Sequence, residues 1–362
     1  MKTQNHWHTA IVIDSLKPGG SERVASVMAN FWVRKARPVT LITLKNKDSF
    51  YSLDERVQFK ALDISDKSNH YAKGIMHTCK RIKILVQYFK QTKPDVVISF
   101  FNDINVLCIL AGRVTGIPVI ITERSHPGKK QIPLRWRVAS KIFYNLAQKL
   151  VVQTTGAEAF FKHYRVPTAV IPNPLPKQMP LDSSLKDNVI LGAGRLIPLK
   201  GFNLLIRAFA HSGLYPGWKL VILGDGPEKK KLESLIEKLG LTKHVSLPGM
   251  IKDVEKYYQM ASIFVLSSKY EGFPNALAEA MGAGLACISF DCAFGPAEMI
   301  LHNQNGMLIN TGDVESLTNA LVELANDKAK RTRLGNNARK IHERYAADRI
   351  MEQWDQVLQE VT

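Results

Sequence analysis

The sequence has few of the features that mark several common classes of protein. Its four cysteines, Cys79, Cys108, Cys287 and Cys292, form no CxxC pair and no regular framework. This pattern predicts free thiols in a reducing cytoplasm rather than a disulfide scaffold. No segment approaches the roughly 18 apolar residues that cross a bilayer, and the amino terminus lacks the apolar core of a signal peptide. We therefore expect a cytoplasmic protein without a membrane-spanning helix.

The sequence also lacks the motifs of several nucleotide-dependent and metal-dependent enzymes. No G-x-G-x-x-G follows the first predicted strand and no Walker A sequence occurs, which argues against a nicotinamide cofactor and against ATP hydrolysis of that type. There is no Asp-x-Asp, and no clustered set of His and Cys residues. We therefore expect neither a bound cofactor nor a metal ion.

Positive charge is concentrated in the first half of the chain. Residues 1–188 contain 29 Lys and Arg against 13 Asp and Glu, whereas residues 189–362 contain 20 against 19. A one-sided basic domain indicates an anionic partner, which could be a nucleic acid, a membrane surface or a phosphorylated substrate. A basic surface that only aids solubility is the plainer alternative.

Apolar strands alternate with helices along most of the chain. The predicted strands are residues 9–14, 38–44, 95–99, 117–122, 149–153, 188–193, 218–223, 244–247, 263–267 and 285–290. Such alternation implies parallel sheets with helices on both faces. The sequence therefore predicts an α/β protein with two doubly wound, Rossmann-like domains facing a central cleft.

A polar, Pro-rich segment separates the two series of strands and predicts a linker over residues 173–187. The N-terminal domain is then expected over 1–172 and the C-terminal domain over 188–345. Residues 346–362 are expected to form a helix that packs back toward the N-terminal domain. In such sheets, ligands bind at the carboxyl ends of the strands.

The most informative segment reads Glu-Gly-Phe-Pro-Asn-Ala-Leu-Ala-Glu at 271–279 and follows a predicted buried strand. Gly272 and Pro274 predict a tight turn, with Pro274 in the first turn of a helix. The free backbone N–H groups at a helix start attract phosphate, and here they belong to Asn275, Ala276 and Leu277. Glu279 could accept hydrogen bonds from ribose hydroxyls, and Glu271 could contact a sugar on the phosphates. A capped surface helix with two solvated acids is the alternative.

Two other strand-end loops of the second domain add candidate groups. Arg195 and Lys200, five residues apart, could hold a diphosphate and offset the charge of a leaving group. Two solvated loop cations would give the same pattern. Met250 and Ile251 follow the strand at 244–247, where backbone groups could read the edge of a base.

Two strand-end loops of the first domain carry the remaining candidates. Gly19 and Gly20 follow the first strand and allow a backbone to approach a ligand closely. Glu123, Arg124 and His126 cluster after the strand at 117–122. A histidine in such a position is a candidate catalytic group, although a strand-end His is often an ordinary hydrogen-bonded residue.

Together these segments resemble glycosyltransferase family 4, the retaining enzymes of GT-B fold. The resemblance covers nearly the whole chain and is strongest over 188–310, where GAGRLIPLKGFNLLIRAFA, LVILGDGPEKKKLESLIEKLGL, VSLPGMIKDV and ASIFVLSSKYEGFPNALAEAMGAGLACISFD stand in the order of the family. The segment LKPGGSERVASVMANFW is similar to its amino-terminal Gly-rich loop. SFDCAFGPAEMI is similar to members that build bacterial surface polysaccharides and lipid-linked oligosaccharides.

The resemblance implies a role for each candidate residue. Catalytic roles fall to Glu271, Arg195, Lys200, His126 and Glu123. Acceptor binding falls to Arg124 and His126. The donor site comprises Gly19, Gly20, Arg195, Lys200, Met250, Ile251, Glu271, Gly272, Phe273, Asn275, Ala276, Leu277 and Glu279. Many members carry a His directly after the residue that matches Glu123, whereas this chain has Arg124 there and His126 two residues further on.

The resemblance implies a retaining, metal-independent hexosyltransferase. It would move a sugar from a nucleotide diphosphate sugar, expected to be UDP-linked, to a hydroxyl of a lipid-linked or polysaccharide acceptor. Basic amphipathic stretches at 71–94 and 135–149 predict docking on the anionic inner face of the cytoplasmic membrane, unless they are packed helices with a solvated basic face. The alternatives are another GT-B enzyme such as a nucleotide-sugar epimerase and, from another class, a basic nucleic-acid-binding protein.

Overall fold

The computed structural model describes residues 7–45, 48–64, 71–124, 132–176 and 187–362, and for residues 71–75 it describes the backbone. The chain divides into two compact units. Unit 1 comprises Met1–Pro174 and Asp348–Thr362, and unit 2 comprises Leu175–Ala347. Most of the predicted linker, residues 177–186, lies outside the described residues.

Unit 1 is built on one parallel sheet of seven strands. These are β1 (Thr9–Ile13), β2 (Val39–Thr43), β3 (Gln58–Ala61), β4 (Val96–Phe100), β5 (Val119–Thr122), β6 (Lys149–Val152) and β7 (Thr168–Val170). The strand order is β3-β2-β1-β4-β5-β6-β7, so the direction of winding reverses between β1 and β4. The helices of the unit are α1 (Gly20–Arg34), α2 (Tyr71–Thr92), α3 (Asn102–Thr115), α4 (Leu134–Phe143) and α5 (Thr155–Phe161).

The C-terminal helix α14, Ala347–Val361, belongs almost entirely to unit 1. Its apolar face is buried, with Trp354 fully covered. Asp355 accepts a hydrogen bond from the Trp32 indole at 2.8 Å and binds the Arg37 guanidinium with both oxygens, at 2.5 and 3.0 Å. Because Arg37 is itself buried, this two-point ion pair fixes the register of the helix on the unit.

Unit 2 is built on a parallel sheet of six strands. These are β8 (Val189–Ala193), β9 (Lys219–Leu223), β10 (Val245–Gly249), β11 (Ile263–Leu266), β12 (Ala286–Asp291) and β13 (Met307–Asn310). The strand order is β10-β9-β8-β11-β12-β13, and the winding reverses between β8 and β11. The helices are α6 (Phe202–Ser212), α7 (Lys229–Lys238), α8 (Val254–Met260), α9 (Asn275–Gly282), α10 (Pro296–Met299), α11 (Val314–Asn326), α12 (Lys328–Ala338) and α13 (Ile341–Tyr345).

The predicted fold class is confirmed, and each predicted strand is present to within two residues at its ends. Strands β3, β7 and β13 were not predicted, and neither were helices α5, α8 and α10. Strands β3 and β7 lie at the two edges of their sheet and are only partly buried, so their sequences carry no buried apolar run. Within the described ranges, none of the helices combines the length and the hydropathy that a bilayer crossing requires.

Candidate functional site

The winding reversal of unit 2 brings two of the predicted loops together. The loop after β8 carries Lys200, and the loop after β11 carries Glu271. Because β8 and β11 are neighbours, both loops leave the same edge of the sheet, which is where doubly wound sheets bind ligands. The Lys200 ammonium lies 2.6 Å from Glu271 Oε1. The sequence placed both residues in one site, and the structure places them in direct contact.

The carboxylate of Glu271 is buried and has a second partner. Ser268 Oγ donates to the same oxygen, Oε1, at 2.6 Å, and only 8% of Glu271 is exposed. Ser267 Oγ donates to the Lys200 carbonyl at 2.9 Å, which ties the two loops together through the backbone as well. Burial is the main cause that raises the pKa of the Cys292 thiol to about 12, and the nearby charge of Glu271 is the second. This thiol is therefore neutral beside the Lys200–Glu271 pair.

Glycine is required at two places where loops at this edge of the sheet approach each other closely. Gly201 has φ +63° and follows Lys200 directly, and a Cβ on it would lie 2.1 Å from the Ser267 carbonyl oxygen. Gly224 has φ +131° and follows β9, and a Cβ there would lie 2.0 Å from the Gly194 carbonyl oxygen. Backbone meets backbone at both places, so a side chain would force the loops apart.

Arg195 differs from Lys200 in its surroundings. Its side chain is exposed and contacts no acceptor among the residues that the structure describes. Its backbone is nevertheless fixed, because Leu196 N–H donates to the Asp225 carbonyl at 2.9 Å and Gly194 N–H to the Leu223 carbonyl at 2.9 Å. Arg195 is therefore a solvent-facing cation on a rigid loop, whereas Lys200 is already paired.

Helix α9 begins beside this pair, one residue later than predicted. Pro274 precedes the helix and Asn275 is its first residue. The N–H of Asn275 donates to the Phe273 carbonyl at 2.9 Å, so this one of the three predicted groups is engaged within the turn. The N–H groups of Ala276 and Leu277 have no acceptor among the described residues, and they retain the capacity to bind an anion.

Glu279 is half-buried and partly oriented by a residue that the sequence did not indicate. Tyr258, on α8, lies 3.1 Å by its hydroxyl from Glu279 Oε2 and 3.4 Å from the Ala276 carbonyl. Tyr258 is almost completely buried. The helix that carries it was absent from the prediction, so no signal in the sequence connected it to Glu279.

The other predicted donor groups of unit 2 lie on its strand ends. Met250 is 54% exposed and Ile251 half-buried, directly after β10. Gly224 N–H donates to the Gly249 carbonyl at 2.8 Å, which joins this loop to the loop after β9. Phe273 is buried against Tyr345, with ring centroids 5.6 Å apart, and half-buried Gly272 precedes it.

In unit 1, Gly19 lies in the turn between β1 and α1, and Gly20 is the first residue of α1. The Tyr51 hydroxyl accepts from the Gly19 N–H at 2.9 Å and donates to the Gly19 carbonyl at 2.7 Å. The peptide groups of Gly19 are therefore held by Tyr51, and a ligand contact through its N–H would have to replace that bond.

The carboxyl ends of β4 and β5 hold a buried polar network around Glu123. The Tyr144 hydroxyl donates to Glu123 Oε1. Asn102 Nδ2 donates to the Tyr144 hydroxyl at 3.0 Å, and Asn105 Nδ2 donates to it at 3.1 Å. Burial, aided by the Glu123 charge, raises the pKa of the Tyr144 phenol well above its usual range.

Phe101, directly before Asn102, has φ +76°. This value is strained for a non-glycine residue, and such residues are concentrated at functional sites.

Arg124 is buried rather than presented to a ligand. Its Nη1 donates to Asn173 Oδ1 at 2.7 Å, and its guanidinium lies 5.0 Å from the ring centroid of Phe100 and 5.7 Å from that of Trp354. Burial lowers the pKa of Arg124 to about 9. This geometry favours a structural role over the predicted contact with an acceptor. His126 lies outside the described residues.

Two parallel-sheet α/β units with polar clusters at the carboxyl ends of their strands are the architecture found in glycosyltransferases of GT-B fold. The chain belongs to glycosyltransferase family 4. The family model for glycosyl transferases group 1 matches residues 178–341, and the model for Glycosyltransferase Family 4 matches residues 18–178. An uncharacterized glycosyltransferase of Methanocaldococcus jannaschii is 33% identical over 68% of each chain.

Full-length likenesses agree with this assignment. The Campylobacter jejuni enzyme GalNAc-α-(1→4)-GalNAc-α-(1→3)-diNAcBac-PP-undecaprenol α-1,4-N-acetyl-D-galactosaminyltransferase is 29% identical and aligns with 97% of this chain and 98% of its own. Among solved structures, sucrose-phosphate synthase of Thermosynechococcus elongatus has a TM-score of 0.83 at 18% identity, covering 98% of this chain and 99% of that one. Anabaena HepE in complex with UDP has a TM-score of 0.77 at 19% identity, covering 98% and 100%.

Proposed function

We propose that this glycosyltransferase moves a sugar, with retention of anomeric configuration, from a UDP-sugar to a hydroxyl of a lipid-linked or polysaccharide acceptor in bacterial glycan biosynthesis. The observation that carries the proposal is the cluster at the winding reversal of unit 2. It combines the Lys200–Glu271 pair, the exposed cation of Arg195, and two N–H groups at the start of α9. This combination suits a diphosphate joined to a sugar.

Each group of the cluster has a proposed task. Arg195, Lys200 and the N–H groups of Ala276 and Leu277 hold the diphosphate. Glu279, oriented by the Tyr258 hydroxyl, accepts hydrogen bonds from the ribose. The loop at Glu271 lies beside the sugar, and the bond from Lys200 to Glu271 keeps that carboxylate oriented.

The chemistry is a substitution at the anomeric carbon. The acceptor oxygen forms a bond to this carbon, the bond from the carbon to the diphosphate oxygen breaks, and the acceptor proton passes to the departing phosphate. Arg195 and Lys200 stabilise the charge that develops on the diphosphate, since cations fixed beforehand act most strongly where charge appears. In unit 1, Glu123 accepts a hydrogen bond from the acceptor hydroxyl and orients it.

Transfer is proposed to need no metal ion. Among the described residues, no group of three or more His, Cys, Asp and Glu side chains could hold one. Arg195 and Lys200 supply positive charge at the place where a divalent ion would otherwise be required.

The nature of the acceptor is proposed from the relatives and from unit 1. The name of the Campylobacter jejuni relative specifies an undecaprenyl diphosphate glycan. On α4 and the turn that follows it, four apolar side chains recur every four residues and are exposed: Leu134 (64%), Val138 (47%), Ile142 (59%) and Leu146 (40%). We call these four residues the α4 stripe. Arg135, Arg137 and Lys141 beside it are exposed as well.

The α4 stripe is proposed to dock on the anionic inner leaflet of the cytoplasmic membrane. Its apolar side chains would enter the interface while the three cations meet lipid phosphates.

One expectation for helix α2, the basic stretch predicted at 71–94, needs revision. Arg81 is buried and faces Asp103 at 3.8 Å, so it is not a surface cation, whereas Lys80 and Lys83 beside it are exposed.

A nucleotide-sugar screen tests the proposal. UDP-glucose, UDP-galactose, UDP-N-acetylglucosamine and UDP-N-acetylgalactosamine are each tested for thermal stabilisation of the protein. They are then tested for transfer to a synthetic polyprenyl diphosphate N-acetylhexosamine. Release of a free sugar at the same rate with and without acceptor would instead favour an epimerase. Retention of RNA or DNA on a filter, without any sugar transfer, would favour the nucleic-acid-binding alternative.

A further inference from the structure

The hydroxyl of Tyr144 occupies the centre of the buried network in unit 1. Tyr144 opens a short 3-10 helix, Tyr144–Leu146, directly after α4, and its side chain is completely buried. Its oxygen contacts three side chains, those of Asn102, Asn105 and Glu123. These come from two other segments of unit 1, the start of α3 and the end of β5, so one hydroxyl joins three parts of the unit.

The direction of each hydrogen bond follows from the chemistry of the groups. Asn105 Nδ2 also donates to the Thr122 carbonyl at 3.0 Å, and Asn105 Oδ1 accepts from Ser99 Oγ at 2.7 Å. A backbone carbonyl can only accept, which fixes the orientation of this amide. Its second N–H must therefore point at the phenol oxygen.

The hydroxyl proton of Tyr144 must then be donated to Glu123. The phenol oxygen accepts from Asn105, and it accepts from Asn102, whose Nδ2 also lies 3.5 Å from the Glu123 carboxylate. With both amides donating, the phenol proton has one acceptor in contact with it, Glu123 Oε1. A hydrogen bond from a phenol to a carboxylate is charge-assisted, and it holds the carboxylate in one rotamer.

We infer that Tyr144 is a positioning residue for sugar transfer, which holds the Glu123 carboxylate correctly oriented toward the acceptor hydroxyl. The inference rests on the role proposed above for Glu123. Tyr144 does not touch the substrate in this account; it acts through Glu123, and Asn102 and Asn105 act through Tyr144. Every member of the network belongs to unit 1, and groups oriented in advance by the fold contribute most to catalysis.

The test removes the phenol oxygen and retains the ring. Tyr144→Phe is expected to lower kcat for transfer about 10- to 100-fold, the effect typical of losing a hydrogen bond to a charged group. The KM for the UDP-sugar is expected to stay within about two-fold, because that site belongs to unit 2. The assay uses the UDP-sugar that the wild-type protein transfers to the synthetic polyprenyl diphosphate acceptor.

A matched control separates positioning from simple loss of stability. Thr154 is buried in the same unit, and its hydroxyl accepts from the Ala157 N–H at 3.2 Å as the cap of α5. Thr154→Val also removes one buried hydroxyl, but it leaves the Glu123 network intact. Its melting temperature is expected to fall as that of Tyr144→Phe does, while its kcat stays near that of the wild type. Equal losses of kcat in both variants would overturn the inference.

Glu123→Gln distinguishes failure of the inference from failure of the proposed site. If Tyr144 acts through Glu123, adding Tyr144→Phe to Glu123→Gln lowers kcat no further. Full activity of Tyr144→Phe beside an impaired Glu123→Gln would overturn the role of Tyr144 alone. Full activity of Glu123→Gln would overturn the proposed role of Glu123 and the inference with it.

Asn102→Ala is the second variant if Tyr144→Phe does not fold. It removes one donor to the phenol oxygen and leaves that hydroxyl free to turn away from Glu123. A smaller loss, again in kcat and not in the KM for the UDP-sugar, is expected. An unchanged kcat in this variant would contradict the inference.

Discussion

At the residue scale, the two cations of the donor cluster have different environments and should behave differently when removed. Arg195 is exposed and rests on a rigid loop. Lys200 is bonded to the buried carboxylate of Glu271 at 2.6 Å. Loss of either removes charge from the leaving diphosphate, but loss of Lys200 also leaves Glu271 without its cation.

Arg195→Ala should therefore reduce transfer about 100-fold or more without a measurable loss of stability. Lys200→Ala should reduce transfer to a similar extent and also lower the free energy of unfolding by about 1–3 kcal/mol. Steady-state transfer and denaturant unfolding of the two variants check this prediction. Equal stability of both variants would contradict the pairing described for Lys200.

Glu279 gives a second prediction at this scale. Glu279→Ala should weaken UDP binding by about 1–3 kcal/mol, because the ribose hydroxyls would lose an ionised acceptor. Tyr258→Phe should weaken it less, since the carboxylate remains and only its orientation is relaxed. Titration calorimetry with UDP measures both, and Glu233→Ala, an exposed acid on α7, is the control. Unchanged affinity in Glu279→Ala, with the fold intact, would remove Glu279 from the donor site.

The contacts that the sequence did not predict share one physical property. Lys200 and Glu271 could be assigned to one site because both follow buried apolar strands, and parallel strands end at the same edge of a sheet. Tyr258 and Tyr144 could not be found in this way. Each meets its carboxylate through a helix or turn whose position depends on packing, and the local sequence around a tyrosine does not specify what its hydroxyl will contact.

At the scale of elements, the fully buried strands were predicted, whereas of the edge strands only β10 was, and β3, β7 and β13 were not. Thr9–Ile13 and Ile263–Leu266 are buried at every position, so an apolar run marks them. Gln58–Ala61 has only intermediate and exposed residues, and its place in the sheet depends on pairing with β2. The register of such a strand is set by a neighbour distant in sequence, which a local pattern does not encode.

Helix α4 gives the prediction that belongs to this scale. Replacing Leu134, Val138 and Ile142 with Ser should reduce co-sedimentation with vesicles that contain phosphatidylglycerol and slow transfer to the polyprenyl acceptor. Binding of UDP should not change, because its proposed site lies in unit 2. Removing Arg135 and Lys141 instead should weaken vesicle binding by about 1 kcal/mol per cation, and added salt should reproduce this loss.

The control for this prediction is a matched loss of charge from unit 2. Lys230 and Lys238 are exposed on α7, and replacing both with Ser removes the same charge as replacing Arg135 and Lys141. Vesicle binding should be unaffected by this pair. If the α7 variant loses binding as much as the α4 variant, the attraction reflects net charge alone and the docking surface is wrongly placed.

At the scale of the whole molecule, positively charged side chains of the protein are proposed to neutralise the diphosphate of the substrate. Transfer should therefore continue in the presence of EDTA at a rate close to that of untreated protein, with Arg195 and Lys200 supplying the positive charge. Radiolabelled transfer with and without the chelator measures this. Loss of activity on chelation that is restored by added Mg²⁺ or Mn²⁺ would contradict metal independence.

The measurement that tests the central claim most directly is mass spectrometry of a polyprenyl diphosphate N-acetylhexosamine after incubation with the protein and each UDP-sugar. The account predicts that the acceptor gains the mass of one sugar with at least one donor. It also predicts that the gain falls about 100-fold or more in Arg195→Ala while the fold is retained. No gain in mass with any UDP-sugar, together with no thermal stabilisation by UDP, would contradict it.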